Sequence, residues 1–457
     1  MQLQLDHEIR DPIHGLVHLT EQELRIVNTP VFQRLRRIRQ LAMADLVYPG
    51  ALHTRFEHSI GALHVASRIL ERLDRDEHLS DNDAVAVRLA ALLHDVGHGP
   101  FSHVSEHLLD KWYARELIGS ATSREKIHEK ITVDIITKDP GIVGLIGANE
   151  REVITSIIQG SGVRDYRRDI VSSSLDVDKM DYLLRDAYYA GVRYGQYDLD
   201  KIVDSLRVHR SGSESYLAVD EGGIFAVEQL IHSKHHMTQQ VYAHRVRVVT
   251  DFMIVRGLQL AIETDASIQK IYAYDGSDEH LRRYLEADDA RISAAVLSCG
   301  DDRARAIFQR LRDRNLFKEL SLIRIDKADI PNAAVRSRIQ RISAESCRRI
   351  EQAVAEKIGC QPWEVIVEKK TVKNPAYHEH GSIDPDTIMI VGRSGGPEAL
   401  SELEEVADAK VRATERLHVV GPWNPVTGMS RDDGHQARRT LSERVKELIL
   451  DYVGGHP

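Results

Sequence analysis

Leu92-Leu93-His94-Asp95-Val96-Gly97-His98-Gly99-Pro100-Phe101-Ser102-His103 is the stretch on which the reading of this chain turns. It follows the apolar run Leu89-Ala90-Ala91, and the spacing predicts a buried helix from about Asn82 to Val96, closed by Gly97. Adjacent helical residues point about 100° apart, which lets the His94 imidazole and the Asp95 carboxylate close on one ion near a helix end. Burying a carboxylate beside such a run is costly unless something compensates it. A divalent cation does so directly; the plain alternative is a buried His–Asp hydrogen bond. Gly97 and Gly99 permit close backbone approach, and His98 and His103 follow in the same turn region.

Three further segments add to it: Arg55-Phe56-Glu57-His58, His128-Glu129, and Asp176-Val177-Asp178-Lys179-Met180-Asp181-Tyr182-Leu183-Leu184-Arg185-Asp186. In the last, Asp178, Tyr182 and Asp186 are spaced i, i+4, i+8 and line one helix face, about 6 Å apart per step. By itself that stripe reads as a solvated face; beside a His-Asp site it reads as one ligand and two substrate-contacting groups. Asp181 and Arg185 form an i, i+4 pair, read most simply as a surface ion pair.

The chain has 457 residues, 42% hydrophobic and 29% charged, enough for a globular core in two or three units. The expected fold class is mainly α, with a small β-hairpin over 205–220 and a C-terminal α/β lobe. The expected units are a core over 1–265, a helical extension over 266–330 and the lobe over 331–457. Helices are expected at 21–27, 31–43, 57–73, 103–118, 127–137, 150–159, 176–190, 224–263, 343–358 and 439–452. Strands are expected at 364–368, 387–391 and 417–420. Gly392-Arg393-Ser394-Gly395-Gly396-Pro397 lacks both glycine-rich phosphate-loop patterns and reads as a turn. No apolar run approaches the roughly 20 residues that span a bilayer. The N-terminus shows no signal peptide, and Cys299, Cys347 and Cys360 are too scattered for a disulfide framework, so a cytoplasmic protein with no membrane role is expected. The net charge of −9 disfavours a nucleic-acid-coating protein.

The pattern H…HD…D, with HDVGHGPFSH and DVDKMDY, resembles the HD-domain deoxynucleoside triphosphate triphosphohydrolases. The similar branch contains the sterile-alpha-motif/HD-domain dNTPase and its bacterial relatives. Asp11-Pro12-Ile13-His14-Gly15, Thr29-Pro30-Val31-Phe32-Gln33-Arg34-Leu35-Arg36 and Pro49-Gly50-Ala51-Leu52-His53-Thr54 also match that branch. The resemblance covers residues 8–260 well and the rest weakly, without a separate sterile-alpha-motif domain. It implies an HD-domain helical fold that cleaves dNTPs to a deoxynucleoside and inorganic triphosphate. It implies His58, His94, Asp95 and Asp178 as ligands of one divalent metal ion. That mixed nitrogen and oxygen set suits Mn, Fe, Zn or Mg rather than a soft thiophilic ion. By the same resemblance Arg55 holds a phosphate, while His98, His103 and His128 surround the α-phosphate and one of them protonates the departing 5′ oxygen. Glu129 or Glu106 would orient such an imidazole. Gln40 would read the sugar 3′-OH, and Lys179, Tyr182 and Asp186 would touch substrate. Lys234, Thr238, Tyr242 and Arg245, at i, i+4, i+8 and i+11, would offer cations, a hydroxyl and an aromatic face to the nucleotide, with Tyr242 against the sugar. Relatives are homo-oligomers with regulatory sites between subunits, which implies a dimer or tetramer.

Two departures bear on regulation. Asn28 stands where nucleotide-activated relatives carry an Asp, although Gln33 and Arg36 are kept, and Val219-Asp220-Glu221-Gly222-Gly223 is acidic and small where their hairpin is basic. The expectation is altered or absent dNTP activation. The rival readings are an HD-type nuclease or phosphodiesterase acting on nucleic acid or another nucleotide, and a non-catalytic nucleotide sensor. A sensor is hard to square with an intact set of buried charges.

Overall fold

The computed structural model describes residues 3–106, 108–109, 127–160, 163–372, 387–392, 397–400, 414–423 and 431–455. They form two compact units. The first comprises Met1–Met237, Asp265–Ala295 and Pro375–Lys410; the second comprises Thr238–Thr264, Val296–Asn374 and Val411–Pro457.

The first unit is built on the Arg55–Glu77 helix, which buries Ile60, Leu63, Ile69, Leu70 and Leu73. A capping box starts it: the Glu57 carboxylate accepts from Thr54 N at 2.9 Å. Two helices pack on it, Asp81–Leu93 and Val177–Ala190. Ser80 caps the former through Asp83 N, and Asp176 caps the latter through Lys179 N. The Asp81–Leu93 helix is buried from Ala86 onward, as its apolar run requires. It stops at Leu93 rather than Val96, because His94, Asp95 and Val96 turn away toward the site. Arg88 on this helix is fully buried and donates to both oxygens of Glu23, at 2.7 and 2.8 Å.

Other expectations needed correction. The 31–43 helix is only Pro30–Gln33 followed by a tighter turn over Arg34–Arg37. The 224–263 helix is two helices, Ile224–Met237 and Arg245–Thr264, separated by a wide π-helical turn over Thr238–Tyr242. The expected helix over 103–118 lies mostly outside the described residues, as does most of the 392–397 turn. A hairpin of His7–Asp11 and Gly15–Leu19 went unforeseen; its turn is held by Asp11 Oδ1, which accepts from Ile13 N and His14 N. The expected hairpin is present as Leu206–Ser211 and Glu214–Asp220, and Met389–Val391 joins it in parallel rather than joining the lobe sheet.

In the second unit the strands Lys318–Arg324, Thr414–Gly421 and Ile366–Val372 form an antiparallel sheet in that order. Leu417 and Val419 face a core of Ile323, Ile350, Val354, Val367, Val445 and Ile449 under the helices Ala344–Ile358 and Arg431–Gly455. Arg416 and His418 alternate onto the other face, where Phe252 of the Arg245–Thr264 helix packs edge-on to His418 at 5.5 Å. The Lys318–Arg324 strand was expected as helix; a bulge between Glu319 and Ser321 breaks its two-residue period.

The Arg55–Glu77 and Val177–Ala190 helices approach closely at Gly61, where an added Cβ would lie 1.9 Å from Asp181 Oδ1 and 2.3 Å from Arg185 Nη2. Gly61→Ala is therefore expected to lower stability by about 1–3 kcal/mol through overpacking, read as a lower urea midpoint at unchanged slope.

Candidate functional site

Behind the site lies a buried charge network that the sequence did not show. Asp181 is fully buried, not a surface partner of Arg185. Its carboxylate accepts from Arg185 Nε and Nη2 at 2.8 Å each, from His14 Nε2 at 2.7 Å and from His58 Nδ1 at 2.8 Å. Arg185 Nη1 also donates to Asp11, at 2.8 Å. Burial works against the charge of Asp181, but Arg185, His14 and His58 outweigh it and hold its carboxyl well below the usual range. With Nδ1 donating to Asp181, the His58 lone pair is left at Nε2. His94 is fixed in the same sense: its Nδ1 donates to Ala91 O at 2.7 Å.

Both Nε2 atoms are buried and lack a hydrogen-bond partner. They face two carboxylates. His58 Nε2 is 3.1 Å from Asp178 Oδ1 and 3.5 Å from Asp95 Oδ2; His94 Nε2 is 3.5 Å from Asp95 Oδ1 and 3.8 Å from Asp178 Oδ1. His58, His94 and Asp95 have ligand atoms within 4.8 Å of one another. Two orphaned imidazole nitrogens and two carboxylates aimed at one point fit a divalent cation. The Asp178 side chain is 34% exposed, so the open side lies there.

The electrostatics agree. Burial pulls the His58 pKa down, but the nearby carboxylates of Asp178, Asp181 and Asp95 lift it to about 10. A proton thus compensates the carboxylates where a cation would. Asp95 is held well below the carboxylate range: burial opposes this, and Arg55, His94 and His98 overcome it.

Beside this point sits a second cluster. His98 stacks on His128 with ring centroids 3.8 Å apart and planes 20° apart, and His103 stands edge-on to His98 at 4.8 Å. Glu106 joins them, accepting from His128 Nδ1 and, at 3.1 Å, from His103 Nδ1. These four ligand atoms also lie within 4.8 Å of one another. Stacked rings, however, send their lone pairs out side by side rather than toward one ion. Glu106 already takes two of the ring nitrogens, so the cluster suits proton handling better than metal binding. Burial, then Arg55 and His128, push the His98 pKa well down, so its imidazole is neutral.

The loop carrying His98 to His103 is strained and clamped. Phe101 and Ser102 have φ of +61° and +53°, which non-glycine residues rarely adopt. Asp289 Oδ1 accepts from Phe101 N at 2.7 Å, Arg34 Nη1 donates to His98 O at 2.8 Å, and Tyr284 OH donates to Gly97 O at 2.8 Å. Both glycines are places of close approach: a Cβ on Gly97 would lie 2.3 Å from His128 O, and one on Gly99 2.6 Å from the Tyr284 hydroxyl. No local motif marks Asp289 or Tyr284, which lie far along the chain.

The remaining expected residues divide. Arg55 is buried, donating Nε to Ser102 Oγ at 2.8 Å and Nη1 to Asp95, with Nη2 unpartnered. Gln40 is buried with Oε1 unpartnered. Tyr182 lies near His58, with ring centroids 6.5 Å apart. Asp186 is buried and accepts from His53 Nε2 at 2.7 Å. Lys179 does not reach outward: its Nζ donates to Ser173 O at 2.7 Å and Asp176 Oδ2 at 2.5 Å. Lys234 lies in the last turn of the Ile224–Met237 helix and Tyr242 in the π-helical turn that follows, which removes the continuous α-helical stripe. Gln33 links the expected regulatory residues: its Nε2 donates to Val27 O at 2.8 Å, beside the Asn28 helix cap, and its Oε1 accepts from Arg36 Nε at 2.9 Å. Arg36 lies over the Phe56 ring.

A helical core carrying His58, the His94-Asp95 pair and Asp178 defines an HD-domain, metal-dependent phosphohydrolase. Residues 55–186 match the HD domain, and residues 197–381 match the HD associated region. The chain belongs to the HD-domain dNTPase family. It is 30% identical over 441 residues to a protein of Methanocaldococcus jannaschii, covering 96% of this chain and 84% of that one. It is 33% identical to YwfO of Bacillus subtilis, over 68% of this chain and 70% of YwfO. The deoxynucleoside triphosphate triphosphohydrolase SAMHD1 of Homo sapiens is 29% identical over 68% of this chain, which spans 54% of that longer protein. Among solved structures, a phosphohydrolase from Bacteroides thetaiotaomicron shares the fold with a TM-score of 0.68 at 23% identity, covering 91% of this chain and 99% of that one. An Aquifex aeolicus protein matches with the same TM-score at 27% identity, covering 96% and 99%. No helix among the described residues is long and apolar enough to cross a membrane.

Two outcomes follow for metal binding. Asp181→Asn leaves all four candidate ligands in place yet is expected to weaken metal affinity about 10–100-fold, measured by competition with a chromogenic chelator. The second concerns protons. His58 has a folded pKa of about 10, above the unfolded value of about 6.5. Its contribution to the metal-free fold is therefore complete below the unfolded value and lost as pH rises through about 10. Metal uptake at pH 8 is expected to release about one proton per site, read by calorimetry in buffers of different ionisation enthalpy.

Proposed function

We propose that this protein hydrolyses deoxynucleoside triphosphates to a deoxynucleoside and inorganic triphosphate. The observation that carries the reading is the pair of orphaned Nε2 atoms of His58 and His94, facing Asp95 and Asp178 beside the His98–His103–His128–Glu106 cluster. His58, His94, Asp95 and Asp178 would hold one divalent ion, which when bound acidifies water and withdraws charge from phosphorus.

The chain's own groups supply the rest. The free Nη2 of Arg55 is positioned to donate to a phosphate oxygen, with the guanidinium oriented by Asp95 and Ser102. Glu106 orients His128 and His103, and one of these donates a proton to the 5′ oxygen as it departs. The free Gln40 Oε1 can accept from a sugar hydroxyl. Lys179 holds the start of its helix through Asp176, and Asp186 holds His53. These two residues are assigned positioning roles. The dNTP substrate is favoured by the likeness to SAMHD1, a triphosphohydrolase by name.

Incubation with Mn²⁺ and each dNTP, alone and mixed, followed by chromatography, is expected to yield deoxynucleoside and triphosphate. Asp95→Ala should abolish the reaction, and Glu106→Gln should lower kcat about 10²-fold with little change in KM. Metal-loaded protein that leaves every dNTP intact but shortens labelled oligonucleotides would replace this reading with the nuclease one.

A further inference from the structure

In the second unit, three cations stand in one row across the sheet. Arg416 on the central strand is paired in register with Arg324 on one side and Lys370 on the other. Directly opposed residues of antiparallel strands project to the same face, and like charges so placed repel. Arg247 joins them from the Arg245–Thr264 helix, which packs on both outer strands of the sheet and lays Phe252 against His418 on this face.

The carboxylates nearby do not satisfy this row. Lys370 Nζ reaches Asp251 Oδ2 only at 3.9 Å, and Asp251 Oδ1 is buried without a partner. Glu319 is taken up by His418 at 3.0 Å, and Glu368 lies opposite His418 in the next row. Arg324, Arg416 and Arg247 make no side-chain ion pair among the described residues. Arg416 Nη2 donates to Gln239 Oε1 at 3.3 Å, and Arg247 Nη1 to Tyr242 O at 3.2 Å. The Nε atoms of both Arg416 and Arg247 are buried with no partner at all. Buried guanidinium donors without acceptors are costly, and a sheet face elsewhere so regular has no packing reason to gather them.

We propose that Arg324, Arg416, Lys370 and Arg247 form an anion site for linked phosphates. Strands lie about 4.8 Å apart, so the row spans roughly 10 Å, longer than a single phosphate and matched to an oligophosphate. Arginine forks suit phosphate oxygens better than any other common anion. Arg324 is exposed and the Lys370 side chain is 33% exposed, which leaves the row open to a ligand from solution. The site is independent of the proposed reaction, since none of its residues belongs to the metal centre.

The test is calorimetric titration of the full chain, in EDTA at fixed ionic strength, with inorganic tripolyphosphate and separately with dATP. Wild type is expected to bind at least one of them. Arg416→Gln and Lys370→Gln should each weaken that binding by roughly tenfold or more. Loss of tripolyphosphate binding assigns the site to the free anion, and loss of dATP binding alone assigns it to a nucleotide tail. Binding of both ligands unchanged in both folded variants, or no binding by wild type, would overturn the proposal. Arg324→Gln, at an exposed position, supplies a further folded variant should Arg416→Gln misfold.

Discussion

The site depends on a single buried carboxylate. Asp181 accepts from His58, His14 and Arg185 at once, and with Asp11 counted through Arg185 the network ties together three separated segments: the first hairpin, the His58 helix and the Asp181 helix. Leaving that carboxylate with fewer donors would strand a charge in the core, at a cost larger than most single contacts contribute. The helices carrying Asp181 and His58 therefore have one workable approach, tight enough to require glycine at Gly61. That approach fixes which His58 nitrogen is free and where it points. The geometry of the candidate metal site is a consequence of the network behind it.

A second constraint acts on the neighbouring loop. Phe101 and Ser102 are held in left-handed backbone conformations by Asp289 and Arg55. Asp289 is half-buried, and desolvation pushes its pKa up to about 6 against the donors Arg39 N and Phe101 N. The strain places His98 over His128 and leaves His103 across from both. The loop is thus held both from the N-terminal part of the chain, by Arg34 and Arg55, and from far along it, by Tyr284 and Asp289.

Much of this was legible beforehand, for physical reasons. His94-Asp95 after an apolar run, with glycines behind it, states a buried charge and tight backbone approach in consecutive residues. The Asp178 helix was legible because its caps and period are local. What stayed hidden was whatever depends on partners far along the chain. Asp181 and Arg185 read as a surface pair because helical spacing alone cannot report burial. The turn of Lys179 back to Asp176 is a rotamer choice that helical spacing does not report. The stripe from Lys234 to Tyr242 assumed an unbroken helix, and the wide turn at Thr238–Tyr242 carries no proline or glycine to announce it. The Lys318–Arg324 strand was masked by its bulge, and with it the cation row that spans the sheet.

The most direct measurement is anomalous diffraction from crystals of the full chain grown with Mn²⁺. The account predicts a peak ringed by His58 Nε2, His94 Nε2, Asp95 and Asp178, with His58 Nδ1 still on Asp181. A peak held instead by His98, His103, Glu106 and His128, with His58 and His94 left bare, would contradict it.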